Sequence, residues 1–400
     1  MVGENTYIEI EARQINHQGE RICGDVFLKR RIKEENRMVA VLSDGMGHGV
    51  KANVLASLTA TMAINFIIEH RDPVRIAEII MKTLPVCKER KIAYATFTAI
   101  DIDNTGKIHI LEYDTPHALA FREKKPLKLV WKPLEMKIEK NNPDGFQNKT
   151  LWYTSFYPRL QDRLVFFSDG VAQSGLGTEN FPFGWGNVKI QKYIEGLIEN
   201  DIEVSAAKIS EKVVNRSVLN DGYTAKDDIS CACMYFRKPR KLLLVTGPPF
   251  DFNQDKQLAN TVDSFDGKKI VCGGTTIEIL SRELKRDVTD SLEFYDPDLP
   301  PFSYMDGIDL VTEGILTLNK VNRILKDFDS NYITGKGPAD RIVKMLHQSD
   351  QINLIVGTKI NEAHQDPNVP VDLEIRRTIA LRLARLLEDK FLKEVKVSFI

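Results

Sequence analysis

The sequence predicts an α+β chain in two parts: a β-rich part with interspersed helices, then an α/β part built as a doubly wound parallel sheet. Three observations carry this. Short apolar or alternating runs recur through residues 1–238, separated by turn signals such as Asp103-Asn104-Thr105-Gly106. A basic run, Arg237-Lys238-Pro239-Arg240-Lys241, then punctuates the chain. Beyond it strand-like and helix-like segments alternate, an order that implies parallel strands joined by crossover helices. Domains of 1–238 and 239–400 follow.

In the first part, Tyr7 to Ala12 alternates Ile8, Ile10 and Ala12 against Glu9 and Glu11, as in a strand with one wet face. Ile22 to Lys29 is the next strand and carries Asp25. Met38 to Leu42 is an apolar run suited to a strand buried on both faces, and it stops at Ser43-Asp44. Gly45, Gly47 and Gly49 then permit tight turns. Val50 to His70 has helical apolar spacing (Val54, Leu55, Leu58, Met62, Phe66), and Asp72-Pro73 opens a second helix reaching about Cys87. Lys91 to Asp101, Lys107 to Tyr113 and His117 to Arg122 form a meander, with His109 and His117 as structural strand residues. Asn141 to Lys149 is a loop, followed by strands over Thr150 to Tyr157 and Leu164 to Ser168. Gly175 to Gly186, with Pro182 and Trp185, suits either a surface loop around a buried Trp or a flap beside a site. Helices over Val188 to Glu199 and Ser205 to Leu219 lead to Asp227 and a last strand ending near Phe236.

In the second part, strands are expected at Leu242 to Val245, Lys269 to Cys272, Ile308 to Val311, Ile352 to Val356 and Val395 to Phe399. Helices are expected at Thr276 to Lys285, Leu316 to Phe328, Ala339 to His347 and Leu373 to Phe391. The first four strands end in small polar residues: Thr246-Gly247-Pro248, Gly273-Gly274-Thr275-Thr276, Thr312-Glu313-Gly314 and Gly357-Thr358-Lys359. Open parallel sheets bind ligands outside these strand ends. Gly273, Gly274, Thr275 and Thr276 also lead into a helix N-terminus, where free N–H groups favour an anion, so they are candidate ligand-binding residues. Turn and cap chemistry accounts for the same residues without a ligand.

Composition narrows the function. The 400 residues are 42% hydrophobic and 28% charged, with a formal net charge of -1. No basic excess argues for nucleic acid and no acidic excess for a disordered chain. No run of about 20 apolar residues is evident, so no membrane span is expected, and Met-Val-Gly-Glu-Asn-Thr does not read as a signal peptide. Five cysteines form no Cys-x-x-Cys. Cys231 and Cys233 fall on one side of a strand as core residues, and free thiols suit a reducing cytoplasm.

The chemistry lies in the acids. Asp44 sits at a strand end before glycines, where it suits a plain Asp-Gly turn or a ligand for a hard cation. Arg163 to Gly170 repeats the design with Ser168-Asp169-Gly170. Asp227-Asp228 precede a strand, and Gly24-Asp25 lies in another. Four separated carboxylate positions near strand ends could meet at one sheet edge, where they would repel without cations between them.

As an ordered set, Gly24-Asp25, Ser43-Asp44-Gly45-Met46-Gly47-His48-Gly49, Ser168-Asp169-Gly170 and Asp227-Asp228-Ile229-Ser230 resemble the signature of the PPM-type metal-dependent protein phosphatases. The Asp-Gly-Met-Gly-His-Gly form is similar to the bacterial branch named after stage II sporulation protein E, and the likeness spans roughly 1–238. The resemblance implies a four-layer αββα sandwich and two divalent ions, Mn²⁺ or Mg²⁺, that activate a water to hydrolyse phosphoserine or phosphothreonine. Carried over by position, Asp44 bridges the ions, the Gly45 carbonyl helps hold one, and Asp169 and Asp227 hold the other. Asp25 acts through metal-bound waters and Asp228 as an orienting hydrogen-bond partner. The eukaryotic-type enzymes carry His directly after Asp-Gly, where this chain has Met46, so His48 suits loop packing as well as proton donation. The implied partner is a phosphorylated regulatory protein such as an anti-sigma-factor antagonist. The phosphatase pattern opens almost at residue 1, so if a signal is sensed the trailing α/β domain is the expected place for it. The competing expectation is a phosphatase-like scaffold without catalysis whose C-terminal domain binds a small anion.

Overall fold

Strand β3 (Arg37–Gly45) fixes the layering of the first unit, because its alternate side chains enter two different cores. Met38, Ala40 and Leu42 pack with Ile100 and Ile110, and with Leu164, Phe166, Ala232 and Met234 of a second sheet. Val39 and Val41 face the other way, onto helix α1 (Gly49–Glu69). The computed structural model describes residues 6–400 except 33, 36, 70–71, 73–74, 77–78, 80–94, 140–145, 329–334, 360–370 and 392. The chain divides into two units, Met1–Lys238 and Pro239–Ile400.

In the first unit one antiparallel sheet has the order β2 (Asp25–Ile32), β3, β4 (Ala95–Ile102), β5 (Ile108–Tyr113), β9 (Phe146–Phe156), β8 (Lys132–Glu139). The other runs β1 (Tyr7–Ile15), β11 (Ile229–Arg237), β10 (Arg163–Phe167), β6 (Leu119–Arg122), β7 (Lys125–Leu127). After β10 come a short α2 (Asp169–Ala172), α3 (Gly186–Asn200) and α4 (Ala206–Asn220). Ile190, Ile194, Ile209 and Val213 of α3 and α4 cover Val165, Phe167, Cys231 and Cys233 on that sheet's outer face. The layers therefore run helix, sheet, sheet, helix.

Buried Ala52, Ala56, Ala60 and Ala63 form a small-residue stripe that lets α1 lie close on its sheet. By length and composition alone α1 could cross a membrane, which corrects the expectation that no segment qualifies. Its packing on the sheet accounts for the buried alanines, Ile64 and Ile67, whereas Val54 and Leu58 of the expected apolar face are exposed, as is Val50. Several expected boundaries also move. Asp25 opens β2 instead of lying inside it, and β3 continues through Asp44 to Gly45. Phe146 to Lys149 belong to β9, where a loop was expected, and β8 was not anticipated. His117 precedes β6 in a loop. The helix expected from Asp72 to Cys87 falls mostly on residues outside those described.

The second unit holds a sheet ordered β14 (Val288–Asp290), β15 (Ser303–Met305), β16 (Ile308–Thr312), β13 (Lys268–Cys272), β12 (Lys241–Thr246), β17 (Gln351–Val356), β18 (Glu394–Phe399). The run from β16 to β18 is parallel, whereas β14 and β15 add antiparallel pairs at one edge. Leu242 and Leu244 face Val321, Ile342 and Leu383 of α7 (Ile315–Asp327), α8 (Pro338–Gln348) and α9 (Val371–Asp389). Leu243 and Val245 face Leu258, Val262 and Leu280 of α5 (Asp255–Ser264) and α6 (Gly274–Leu284). Connections run outward from β12 through β13 on one side and β17 on the other, so the order reverses between β12 and β17.

Candidate active site

Backbone register brings the first two acids together. Pairing of β2 with β3 sets Asp25 directly opposite Asp44, and side chains so placed have Cβ atoms about 5 Å apart. The second pair comes from β10 and β11. The Ser168 N–H donates to the Ser230 carbonyl and the Ser230 N–H to Ser168 Oγ, both at 3.0 Å. This locks Asp169, just after β10, beside Asp227 and Asp228, just before β11. A Cβ on Gly170 would lie 2.2 Å from the Asp228 carbonyl oxygen, so only glycine lets α2 start this close.

Asp44, Gly45, Asp169 and Asp227 line one cavity of about 960 Å³, together with His17, His48, Tyr113, His117, Lys149 and Trp152 among others. Asp25 and Asp228 are buried close by. The lack of a side chain on Gly45, expected from a carbonyl reaching an ion, has a packing cause: a Cβ there would lie 2.0 Å from the Ala52 carbonyl oxygen of α1.

The acids strain one another electrostatically. Burial, together with the carboxylates of Asp228 and Asp169, pushes Asp25 up to about 7. The nearby Ser230 and Ser168 hydroxyls moderate this, yet neither carboxylate oxygen of Asp25 has a partner of normal hydrogen-bond geometry. Burial also holds Asp44 well above the usual carboxylate range, helped by Asp25, Asp169 and Asp227. Asp227 is raised by burial and by Asp169, although its Oδ1 accepts the Asp228 N–H at 2.8 Å. Oδ1 of Asp228 accepts the His17 N–H at 3.0 Å, and its Oδ2 has no partner. Such a cluster is short of positive charge. Among the described residues no group of three or more His, Cys, Asp and Glu is gathered closely enough to hold a metal ion by side chains alone; Asp44, Asp169 and Asp227 share a cavity wall instead. The unpartnered buried carboxylate oxygens belong to Asp25 and Asp228, while Asp169 Oδ2 accepts from Gln173 Nε2 at 2.8 Å. Carboxylate oxygens are the donors that hard divalent cations take, so an acid-lined cavity fits such ions.

Ser43 Oγ donates to the Thr96 carbonyl at 3.0 Å, and Ser168 Oγ accepts from Ser230, so both hydroxyls are engaged as braces. His48 stacks on His17 with centroids 4.4 Å apart, and its Nδ1 lies 2.7 Å from Glu20 Oε1. No motif marks His17, which follows β1 and reaches the cavity only through the fold. Lys149 was missed because it was assigned to a loop; it is buried and its Nζ donates to the Tyr113 hydroxyl at 2.7 Å. Trp185 is buried against Tyr193, and none of the described cavity-lining residues comes from Gly175 to Gly186, which favours a loop over a flap.

In the second unit, Thr246, Cys272, Thr312 and Val356 fall in one row across the parallel strands, so the four polar loops share an edge. Gly273 precedes α6, and Gly274, Thr275 and Thr276 form its first turn. Thr276 is buried and its hydroxyl has no partner. At the reversal point the backbone itself fills the crevice, since a Cβ on Gly357 would lie 2.1 Å from the Pro248 carbonyl oxygen.

The sequence profile described as Stage II sporulation protein E (SpoIIE) matches residues 34–237, half of the chain. The chain belongs to the stage II sporulation protein E family. It is thereby a phosphoprotein phosphatase, a hydrolase of phosphoric monoesters. No curated protein matches it. Among solved structures it is similar to the SpoIIE phosphatase domain of Bacillus subtilis, with 17% identity over 58% of this chain and 94% of that one, at a TM-score of 0.44. It is also similar to RsbX in complex with magnesium (15% identity, 58% of this chain, 96% of that one, TM-score 0.38). The RsbU and RsbW domains of a Mycobacterium tuberculosis protein give 16% identity over 64% of this chain and 67% of that one, with a TM-score of 0.41.

Proposed function

We propose that the SpoIIE-family unit removes phosphate from serine or threonine of a regulatory protein, using two divalent ions, Mn²⁺ or Mg²⁺. One observation carries this: Asp44, Asp169 and Asp227, from separate chain segments, converge on one cavity, where burial and then the neighbouring carboxylates raise Asp44 and Asp227 above the usual carboxylate range. Asp44 would bridge the ions, the Gly45 carbonyl would complete one of them, and Asp169 and Asp227 would hold the other. Bound ions supply water activation and neutralise phosphoryl oxygens. Asp25 would act through the waters, and Asp228 orients the cluster through its hydrogen bond from His17. The Ser168–Ser230 pair holds the strand ends in register.

The partner is proposed to be a phosphorylated anti-sigma-factor antagonist, a small α/β protein met in the cytoplasm. The second unit is read as a doubly wound regulatory domain taking a small anion at Gly273, Gly274, Thr275 and Thr276, a role supported by the unpartnered Thr276 hydroxyl at that helix start. The decisive assay is Mn²⁺-dependent hydrolysis of a phosphoserine peptide by the wild type and Asp44→Asn. Equal rates would remove Asp44 from the reaction.

A further inference from the structure

His117 stands out on the cavity wall. Glu112 of β5 is fully buried, and its two oxygens take the His117 Nδ1 at 2.7 Å and the Ala118 N–H at 2.8 Å. The imidazole stacks on Trp131, with centroids 4.5 Å apart and planes 16° apart, and meets Trp152 edge-on at 5.5 Å. Asn187 Nδ2 donates to its carbonyl at 3.3 Å. These contacts fix a loop residue in position and orientation, yet its side chain remains 40% exposed and lines the cavity shared by Asp44 and Asp169. Here the carboxylate is buried while part of the imidazole stays open.

We propose that His117 is a substrate-binding residue whose Nε2 accepts a main-chain N–H of the peptide next to the phosphorylated side chain. The proposal rests on the phosphatase reading of this cavity. With Glu112 accepting from His117 as it does from the Ala118 N–H, the proton lies on Nδ1 and the Nε2 lone pair is left free. Burial holds the Glu112 pKa above its usual value, and the hydrogen bonds from His117 and Ala118 oppose that rise. Glu112 is then a positioning residue, selecting the tautomer. A main-chain contact would serve any flanking sequence and would be absent from a substrate with no peptide.

The test compares an alanine-flanked phosphoserine pentapeptide with p-nitrophenyl phosphate, both with Mn²⁺. His117→Ala is expected to raise KM for the peptide about tenfold, the worth of one hydrogen bond. Peptide kcat and all p-nitrophenyl phosphate constants should hold within about twofold. Glu112→Gln should shift peptide KM in the same direction by less, and nitrogen NMR should show the Nδ1–H tautomer of His117 in the wild type only. Calorimetric titration of peptide into metal-free protein needs no turnover and should show the same roughly tenfold loss. Unchanged peptide KM and affinity in His117→Ala would overturn the proposal. So would parallel losses on both substrates with a lowered melting temperature, which make the residue purely structural. A wild type that hydrolyses neither substrate, yet binds peptide in a His117-dependent way, supports this contact while removing the phosphatase reading.

Discussion

Replacing Asp25 by Asn should make the metal-free protein more stable and the enzyme worse. Asp25 is 3% exposed, with no hydrogen-bond partner for either carboxylate oxygen. Its pKa rises from 3.8 to about 7 on folding. At about 1.36 kcal/mol per pH unit, ionising it in the folded state costs at most about 4 kcal/mol. Below pH 4 both folded and unfolded chains hold the proton, and nothing is lost. Between pH 4 and 7 the unfolded chain ionises first, so the folded state loses stability as pH rises, and above 7 the loss is complete. Asn carries no charge and escapes this. In EDTA at pH 8, Asp25→Asn should therefore melt higher, by about 10 °C at most for a unit of this size, and at pH 4 the two proteins should melt alike. With Mn²⁺ the order reverses: the wild type gains more from the ion, and the variant loses about ten- to a hundredfold in activity. Scanning calorimetry at the two pH values, with and without Mn²⁺, reads all of this. Identical melting in EDTA at pH 8 would refute the claim that Asp25 is an uncompensated buried charge.

Asp44→Asn should lower Mn²⁺-dependent phosphopeptide hydrolysis by at least about a hundredfold, because one oxygen donor to the ions becomes an amide; steady-state rates check it. Gly45→Ala places a Cβ 2.0 Å from the Ala52 carbonyl oxygen, so α1 must shift. Chemical denaturation should show a loss of about 3 kcal/mol or more. Glu9 accepts Arg237 Nε at 2.6 Å and the Ala206 N–H at the start of α4. Glu9→Ala removes both contacts, while Arg237 keeps its hydrogen bond to the Lys238 carbonyl, and should cost about 1–3 kcal/mol in urea unfolding. Gly274→Val meets nothing within 4 Å of the added Cβ. The second unit should fold normally yet lose thermal protection by inorganic phosphate; protection equal to wild type would remove this loop as an anion site.

Asp44 and Asp169 were legible because each stands between a serine and a glycine at the abrupt end of an apolar run, and Asp25, Asp227 and Asp228 because they lie near the start of one, both local patterns. Their convergence was legible only as an ordered set resembling a family. Pairing register and cavity walls depend on contacts distant in sequence. Thus Asp25 opposite Asp44 could not be counted from the sequence, and His17 and Lys149 left no local trace. Helix α5 was missed although Leu258, Ala259 and Val262 carry a helical spacing, because polar residues dominate the stretch. The hairpin β14–β15 consists of two three-residue strands, too short for alternation to register. Helix α1 shows the converse failure: its alanines let it lie close on a sheet, and the same composition satisfies a membrane criterion.

The facing of Asp25 and Asp44 across β2 and β3 makes this centre a matter of counting. Side chains along the hairpin can be exchanged for others of like polarity and size while both carboxylates keep their places. Adding or deleting a single residue within either paired stretch reverses the facing of everything beyond it and turns one acid away from the other. Natural variants of this protein should therefore keep the length of both stretches and both acids, varying in side chain along the partly exposed β2 and only apolar for apolar in the buried β3, with insertions confined to the connection between the strands.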